Sequence, residues 1–379
     1  MEKTSVILPT FNREDFLVEA LESLLGQTLP PAEILVMDDG STDNTYQRMQ
    51  AYSDKIRYIK KSNTGKADTL NQALKLVQNP LVWIMDDDDI ALPNALLDMT
   101  KLLDGKLDTG IAYGRYNRFH LDAKTGERII QDGGYWAECD GETFFQTTLQ
   151  DFFVHHPGML VRKSAYEAAG NFSLEYPRLE DYEMLVRLAQ VTKSERTEST
   201  IFLQRQHDGD RVDGLAADKR FDRWISEEKQ FFTKLYSSLP LSAYSTSNSS
   251  QKVTPPSLER EALIQRGVVM ARKKLWNLAL QDLERASYIH DSPNDNLSDL
   301  ETNALRQILF SKYGSEEFLS DQTILPHLKK IRKIGPIGRA ITNTIGRGQL
   351  WFIRSSLQSG KLTTSYRHLV NMTSLWLTR

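Results

Sequence analysis

Residues 5–45, "SVILPTFNREDFLVEALESLLGQTLPPAEILVMDDGSTDNT", decide the fold of the first half of the chain. Ser5 to Thr10 is a short apolar run of the kind that fills a strand buried on both faces. Phe16, Leu17, Ala20, Leu21, Leu24 and Leu25 follow at helical spacing, with Gly26 as a stop. "AEILVMDDGS" is a second apolar strand, and "STDNTYQRMQAY" is a polar helix start. "KIRYIKK" continues as a third strand. "TGKADTLNQALKLVQ" is a helix with Leu70, Ala73, Leu74 and Val77 on one face, and "LVWIM" is a fourth strand. Pro93 suits the first turn of the next helix. Strands separated by helices predict a parallel sheet covered on both faces. Ligands of such sheets bind at the carboxyl ends of the strands. Three polar clusters fall there: "PTFNRED", "DDGSTDNT" and Asp86 to Asp89. They are expected to converge on one edge.

From roughly Gly110 to Val161 the pattern changes to strands with a turn at "KTG", hence a mixed or antiparallel part. "SAYEAAGNF" and "LEDYEMLVRLAQ" are two further helices. The composition shifts at Ser237 to Ser257, which is rich in Ser, Thr and Pro and reads as a linker. The predicted organisation is an α/β domain over 1–236, a linker over 237–257 and a helical region over 258–379. In that last region Gly267, Ala279, Leu283 and Ala286 sit at the spacing of a tetratricopeptide helix pair, which a single ordinary helical hairpin also satisfies. From Gln322 onward there is no acid, while Lys329, Lys330, Arg332, Lys333, Arg339, Arg347, Arg354, Lys361, Arg367 and Arg379 are basic. Trp351, Phe352, Ile353 and Trp376 are interleaved with them. Two readings stand: a solvated basic tail packed on the rest, or adhesion to an anionic membrane surface. No recognition motif accompanies the charge, so nucleic acid is not expected.

The 379 residues are 40% hydrophobic and 26% charged, as in ordinary soluble proteins, and the net charge of −3 says nothing about partners. One cysteine, Cys139, rules out an internal disulfide framework. "MEKTSVILPTF" has too short an apolar run for a signal peptide, and no stretch approaches the ~18 apolar residues of a bilayer span. A cytoplasmic protein is expected, with peripheral attachment to the inner face of the plasma membrane as the alternative the basic tail leaves open.

Asp86 to Asp89 close the fourth apolar strand. A solvated loop is the ordinary fate of such a run. Carboxylates held together at a strand end are also ligands for a hard divalent ion, Mg²⁺ or Mn²⁺, and the neighbouring clusters weigh toward that reading.

The stretch from Ser5 to Thr45, "NTGKADTLNQAL" and "VWIMDDDDIALP" together resemble family 2 glycosyltransferases, which have the GT-A fold. The likeness covers about residues 4 to 210, just over half the chain. It implies a Rossmann-like, mixed and mostly parallel sheet flanked by helices, here followed by a helical C-terminal region. It also implies a nucleoside diphosphate sugar donor, a saccharide or lipid-linked saccharide acceptor and a Mn²⁺ or Mg²⁺ cofactor. The family's DxD element usually has a small residue between its aspartates, and this chain has Asp87. With Asp86 and Asp88 aligned to the pair, the resemblance implies metal at Asp88, and Asp86 and Asp87 near ribose or metal.

"PTFNR" resembles the nucleotide-edge loop, so Pro9, Thr10, Asn12 and Arg13 are expected to line base and ribose. Asp39 resembles the acceptor of a hydrogen bond from the base, although an aspartate before a helix also suits an N-cap, as do Ser41 and Asp43. Lys66 is expected at a phosphate, or else is a surface lysine at a helix start. "HHPGMLVRKSAYEAAGNF" resembles the glycine loop that approaches the donor, with Gly158 giving access. His155 and His156 look like a metal pair, but adjacent residues in extended chain face opposite ways, which suits a structural or acceptor-facing role. "RLEDYEMLVRLAQ" resembles the family's ED motif: Asp181 is the general-base candidate and Glu180 is acceptor-side, with helix-dipole stabilisation as the plainer reading. "FLQRQHDGDRV" resembles the element in which a histidine, His207 here, completes the metal site. A sugar-1-phosphate nucleotidyltransferase and a non-catalytic nucleotide-sugar-binding module with a partner-binding helical region are the rival functions.

Overall fold

The computed structural model describes residues 1–139, 141–206, 217–246, 256–290 and 296–377. The chain divides into two compact units, Met1–Trp224 and Ile225–Arg379.

The first unit runs β1 (Thr4–Thr10), α1 (Glu14–Leu25), β2 (Glu33–Asp38), α2 (Thr45–Met49), β3 (Arg57–Lys60), α3 (Lys66–Leu76) and β4 (Leu81–Ile84). It continues through β5 (Ile90–Ala91), α4 (Ala95–Leu103), β6 (Thr109–Leu121), β7 (Arg128–Gln131), α5 (Phe144–Gln150), β8 (Met159–Arg162), α6 (Lys163–Ala169), α7 (Glu180–Val191) and β9 (Lys193–Arg205). The sheet order is β3-β2-β1-β4-β8-β6-β9-β5, with β7 paired to β6. The four strands predicted at the start, β1 to β4, pair in parallel. β8 then runs antiparallel between β4 and β6, which gives the sheet its mixed half. β6 and β7 form the expected hairpin about the "KTG" turn.

The apolar periods explain the layers. β1 is buried along its whole length, as a central strand with helices on both faces must be. α1 buries Leu17, Ala20, Leu21 and Leu24 against it, and these residues share one core with Val6, Leu8, Val36 and Trp83. α7 buries its predicted stripe of Tyr182, Leu185, Val186 and Ala189.

Two details differ from expectation. Pro93 precedes α4 instead of opening it: Asn94 is the N-cap, and the Pro93 carbonyl accepts the Thr28 N–H at 2.8 Å. The two-residue β5 carries no readable period, and it pairs with Phe202 and Leu203 of β9.

The second unit is helical: the end of α8 (Ala217–Ser238), then α9 (Pro256–Arg272), α10 (Trp276–Ser287), α11 (Asp299–Arg306), α12 (Glu317–Ser320), α13 (Ile324–Ile334), α14 (Pro336–Gln358) and α15 (Leu362–Leu377). The units divide inside α8, and that helix itself ends at Ser238, where the composition shifts. The first part of the expected linker is structured: a 3-10 turn, Leu241–Tyr244, buries Tyr244, an apolar anchor within a polar stretch. α9 and α10 are the predicted hairpin, in which Gly267 packs against Ala279 and Leu283. α9 is buried on nearly every side, so its charges are paired: Arg266 makes two 2.7 Å bonds to Asp282, and Arg260 lies 2.7 Å from Glu301.

Candidate active site

The strand register brings the three polar clusters onto one edge. Thr10 stands beside Asp38, and Asp38 beside Lys60, at the carboxyl ends of β1, β2 and β3. β4 ends at Ile84, opposite Ile7, and its last hydrogen bond runs from Met85 N–H to the Ile7 carbonyl. Asp86 to Asp89 therefore emerge at that same edge.

Each aspartate of the run meets a different partner. Asp86 Oδ1 accepts from Lys66 Nζ at 2.7 Å. Asp87 accepts from Thr10 Oγ1 at 2.7 Å and from Arg13 Nη1 at 3.0 Å. Arg13 Nη1 also reaches Asp88 Oδ2 at 2.5 Å. Asp89 is buried and accepts the Arg205 N–H at 2.9 Å, while Arg205 Nε donates to the Asp88 carbonyl at 2.9 Å. Arg205 thus staples the acidic turn to β9, with its guanidinium over the rings of Phe16 and Phe119. Sequence reasoning gave Arg205 no role. The one available signal was an arginine two residues after the apolar run Ile201 to Leu203.

The electrostatics follow from burial. Burial disfavours the charge of Asp86, but Lys66 outweighs it and holds the carboxyl below its ordinary range. Burial first, partly offset by Arg13 and reinforced by Asp88, pushes Asp87 up to about 6. Burial and the neighbouring Asp88 and Asp86 raise Asp89 well above its ordinary value. Arg13 and Lys66 meet Asp86, Asp87 and Asp88, and Asp87 remains raised because burial is the largest influence on it.

Asn12 and Asp39 build the neighbouring loops. Asn12 has φ 53°, a left-handed conformation that asparagine tolerates. Its N–H donates to Ser41 Oγ at 2.9 Å, and its Oδ1 accepts the Thr42 N–H at 2.7 Å. Pro9 is buried within β1, and the edge is made by Thr10 beyond it. Asp39 accepts the N–H groups of Thr64 and Gly65, both at 2.9 Å, and pairs with Lys61. Its carboxylate thereby fixes the start of α3, the helix whose first residue is Lys66. Asp38, given no role in the sequence, is fully buried and accepts from Ser41 N–H and from the Tyr58 hydroxyl.

Lys66 also links the edge to α7. Its Nζ lies 3.8 Å from Glu180 Oε1. Burial pushes Glu180 up to about 8, against the pull of Lys66 and with the push of Asp181. Burial likewise raises Asp181, whose Oδ1 accepts the Tyr182 N–H at 2.8 Å. Both carboxylates stand at the first turn of α7.

Gly158 lies in a 3-10 turn, His156–Gly158, held by a 2.9 Å bond from Trp83 Nε1 to the Pro157 carbonyl. A Cβ there would meet the Phe202 ring at 3.1 Å, so a larger residue fits only if that ring shifts by a few tenths of an ångström. His155 and His156 face apart: the first packs edge-on to Tyr116 and Phe152, the second edge-on to Phe172. Both ring nitrogens of His156 are buried without a hydrogen-bond partner, and burial, then Lys66, lowers its pKa to about 3. His207, the remaining predicted metal ligand, lies outside the described residues.

Among the described residues no group of three or more His, Cys, Asp or Glu side chains is gathered as a metal site. Asp86 and Asp88 nevertheless fit a hard divalent ion in kind: they are carboxylate donors at one strand end. A separate cavity of about 610 Å³ is lined by Tyr113, Glu138, Cys139, Thr143, Glu195 and Arg196 among others, and contains none of these strand-end carboxylates.

Comparison with known proteins agrees with this architecture. Residues 5–170 match the family model described as glycosyl transferase family 2, as the sequence resemblance implied. An uncharacterized glycosyltransferase of Rickettsia conorii is 30% identical over 208 residues, which is 54% of this chain and 34% of that protein. Glycosyltransferase GlyG of Streptococcus pneumoniae is 29% identical over 157 residues, 40% of this chain and 46% of the relative. The chain thus spans about a third to a half of the length of these relatives. Among solved structures, TarS of S. aureus superposes with a TM-score of 0.51 at 16% identity, over 84% of this chain and 54% of that one. TarS 1–349 in complex with UDP-GlcNAc gives 0.50 at 16% identity, over 98% and 91%. These likenesses show the GT-A fold.

Proposed function

From the family 2 glycosyl transferase match of residues 5–170, we propose that the chain moves a sugar from a nucleoside diphosphate donor to a hydroxyl acceptor, with inversion at the anomeric carbon. The observation that carries this reading is the strand-end edge itself. There Thr10, Arg13 and Lys66 converge on Asp86 to Asp88, and Lys66 reaches on to Glu180.

The chemistry follows from what each group can do. Arg13 and Lys66 are fixed cations beside the place where a leaving diphosphate gains negative charge. Asp86 and Asp88, with His207, would hold Mn²⁺ or Mg²⁺, which supplies further neutralisation of that charge when bound. Asn12 shapes the nucleotide-edge loop, and Asp39 supports the base and fixes the start of α3 below Lys66. Asp181 takes the proton of the acceptor hydroxyl as its oxygen bonds to the anomeric carbon and the bond to the diphosphate oxygen breaks. Burial favours this role, because a carboxylate raised in pKa is a stronger base. Glu180 faces the acceptor side, where its raised pKa makes it a hydrogen-bond donor at neutral pH. The acceptor is a saccharide or lipid-linked saccharide of surface polysaccharide assembly.

Incubation of the chain with nucleoside diphosphate sugars and Mn²⁺ tests the reading. Release of nucleoside diphosphate is expected. Release of pyrophosphate from sugar-1-phosphate and nucleoside triphosphate identifies a nucleotidyltransferase instead, and binding without turnover identifies a binding module.

A further inference from the structure

Among the described residues, α14 and α15 form a hairpin whose root and tip differ in kind. At the root, α14 buries Ile337, Ile341, Ile345 and Gln349 on one stripe. Gly346 lets α15 come close there: a Cβ at that position would meet Trp376 Nε1 at 2.9 Å. Past Gln349 the inward stripe stops, yet the helix continues to Gln358 and returns as α15. The tip that results exposes Leu350, Trp351, Leu357, Leu362, Tyr366 and Leu369, with Leu357 at 52%, Leu362 at 67% and Tyr366 at 66%. Among the described residues of the second unit, the exposed large hydrophobic side chains other than Tyr288 and Leu300 lie on α14 and α15. Arg347, Arg354, Lys361 and Arg367 are exposed among them, and no acid occurs from Gln322 onward.

We propose that this tip is an interfacial anchor that seats on an anionic lipid surface. Three features select that occupant. Aliphatic and aromatic side chains interleaved with cations match the depth profile of a membrane interface: the apolar groups enter, the aromatics sit at the headgroups, and the cations meet lipid phosphates. A second copy of the chain is disfavoured, because face-to-face pairing brings the same four cations together without a counter-charge. Leu357 and Leu362 have no use against a nucleic acid backbone. The anchor lies on the surface, since among the described residues no helix is long and apolar enough to cross a membrane. The inference is independent of the donor site.

Flotation of the full chain with vesicles tests it. Binding is expected to vesicles of phosphatidylcholine with roughly one-third phosphatidylglycerol, not to phosphatidylcholine alone, and it should fall as salt rises. Leu357→Ser/Leu362→Ser/Tyr366→Ser should weaken partitioning by on the order of tenfold or more. Arg354→Gln/Lys361→Gln should weaken it by on the order of tenfold and flatten the salt dependence. All five side chains are exposed, so melting temperatures should stay at the parent value. The proposal is overturned if the parent fails to float with anionic vesicles, or if both variants float as the parent does. It is also overturned if sedimentation velocity shows a dimer that the triple variant dissolves, because the face is then covered by a second copy.

Discussion

The ammonium of Lys66 lies 2.7 Å from Asp86 and 3.8 Å from Glu180, and so joins the start of α3 to the end of β4 and the start of α7. One cation at the meeting point of three elements serves both charge balance and ligand binding. Lys66→Met should lower nucleoside diphosphate affinity by on the order of 10- to 100-fold in calorimetry, the scale of one charge-assisted contact. It should also cost about 1–3 kcal/mol of stability by leaving carboxylates unpaired. Lost stability with unchanged affinity would make Lys66 an internal counter-ion only.

Asp181→Asn retains the size of the side chain but removes its ability to accept a proton at neutral pH. Donor binding should survive, while transfer falls by on the order of 10² to 10⁴. Glu180→Gln mimics the protonated acid that burial favours, so at pH 7 it should matter much less. Transfer within tenfold of the parent in Asp181→Asn, beside a large loss in Glu180→Gln, would exchange the two roles.

Glu180 and Asp87 also set a pH dependence of folding. Each has a folded pKa raised above its unfolded value, to about 8 and about 6 respectively. The native state therefore holds protons that the unfolded chain has released. Their contribution to stability is complete below about pH 4 and is lost as pH rises, first through about 6 and then through about 8. Between pH 6 and 8 the Glu180 part cannot exceed about 1.4 kcal/mol per pH unit. Denaturant melts should show stability falling across that window, and Glu180→Gln should flatten the fall. An unchanged slope in the variant would mean that Glu180 is ionised in the folded chain.

The metal assignment rests on Asp88. Nucleoside diphosphate should bind at least tenfold more tightly with Mn²⁺ than with EDTA, and Asp88→Asn should remove most of that difference. Equal affinity in the two conditions, measured by calorimetry, would overturn the metal assignment and leave side-chain cations such as Arg13 and Lys66 to meet the diphosphate.

Arg205 offers a test of the staple. Arg205→Leu removes the bond to the Asp88 carbonyl but retains the main-chain N–H that Asp89 accepts. About 1–3 kcal/mol of stability should be lost, together with nucleotide affinity, because the acidic turn keeps only its main-chain bond to β9 and Glu19 loses the Arg205 guanidinium. Asp89→Leu is the harsher change, since it leaves the buried Arg205 N–H without its acceptor. If Arg205→Leu melts like the parent, the turn holds its shape without the guanidinium.

The period of the apolar residues predicted the parallel half of the sheet, because residues in a strand or helix face the core by local geometry alone. That is why β1 to β4, α1 and the stripe of α7 are legible. β5 was not, because its two residues pair only through the register of β9. The composition shift at Ser237 coincides with the end of α8, but composition does not register that Tyr244 is buried within it.

The acidic run shows the division within the site. That four carboxylates end an apolar strand, and hence that positive charge must meet them, is legible in the order of residues alone. Which aspartate meets what is set by the packed fold: Asp86 takes Lys66, Asp87 takes Thr10 and Arg13, Asp88 takes Arg13, and Asp89 takes the Arg205 main chain. These partners lie between 20 and 116 residues away along the chain. Four adjacent and identical side chains carry no local signal that tells them apart; strand register across the sheet does so, by placing a different neighbour against each.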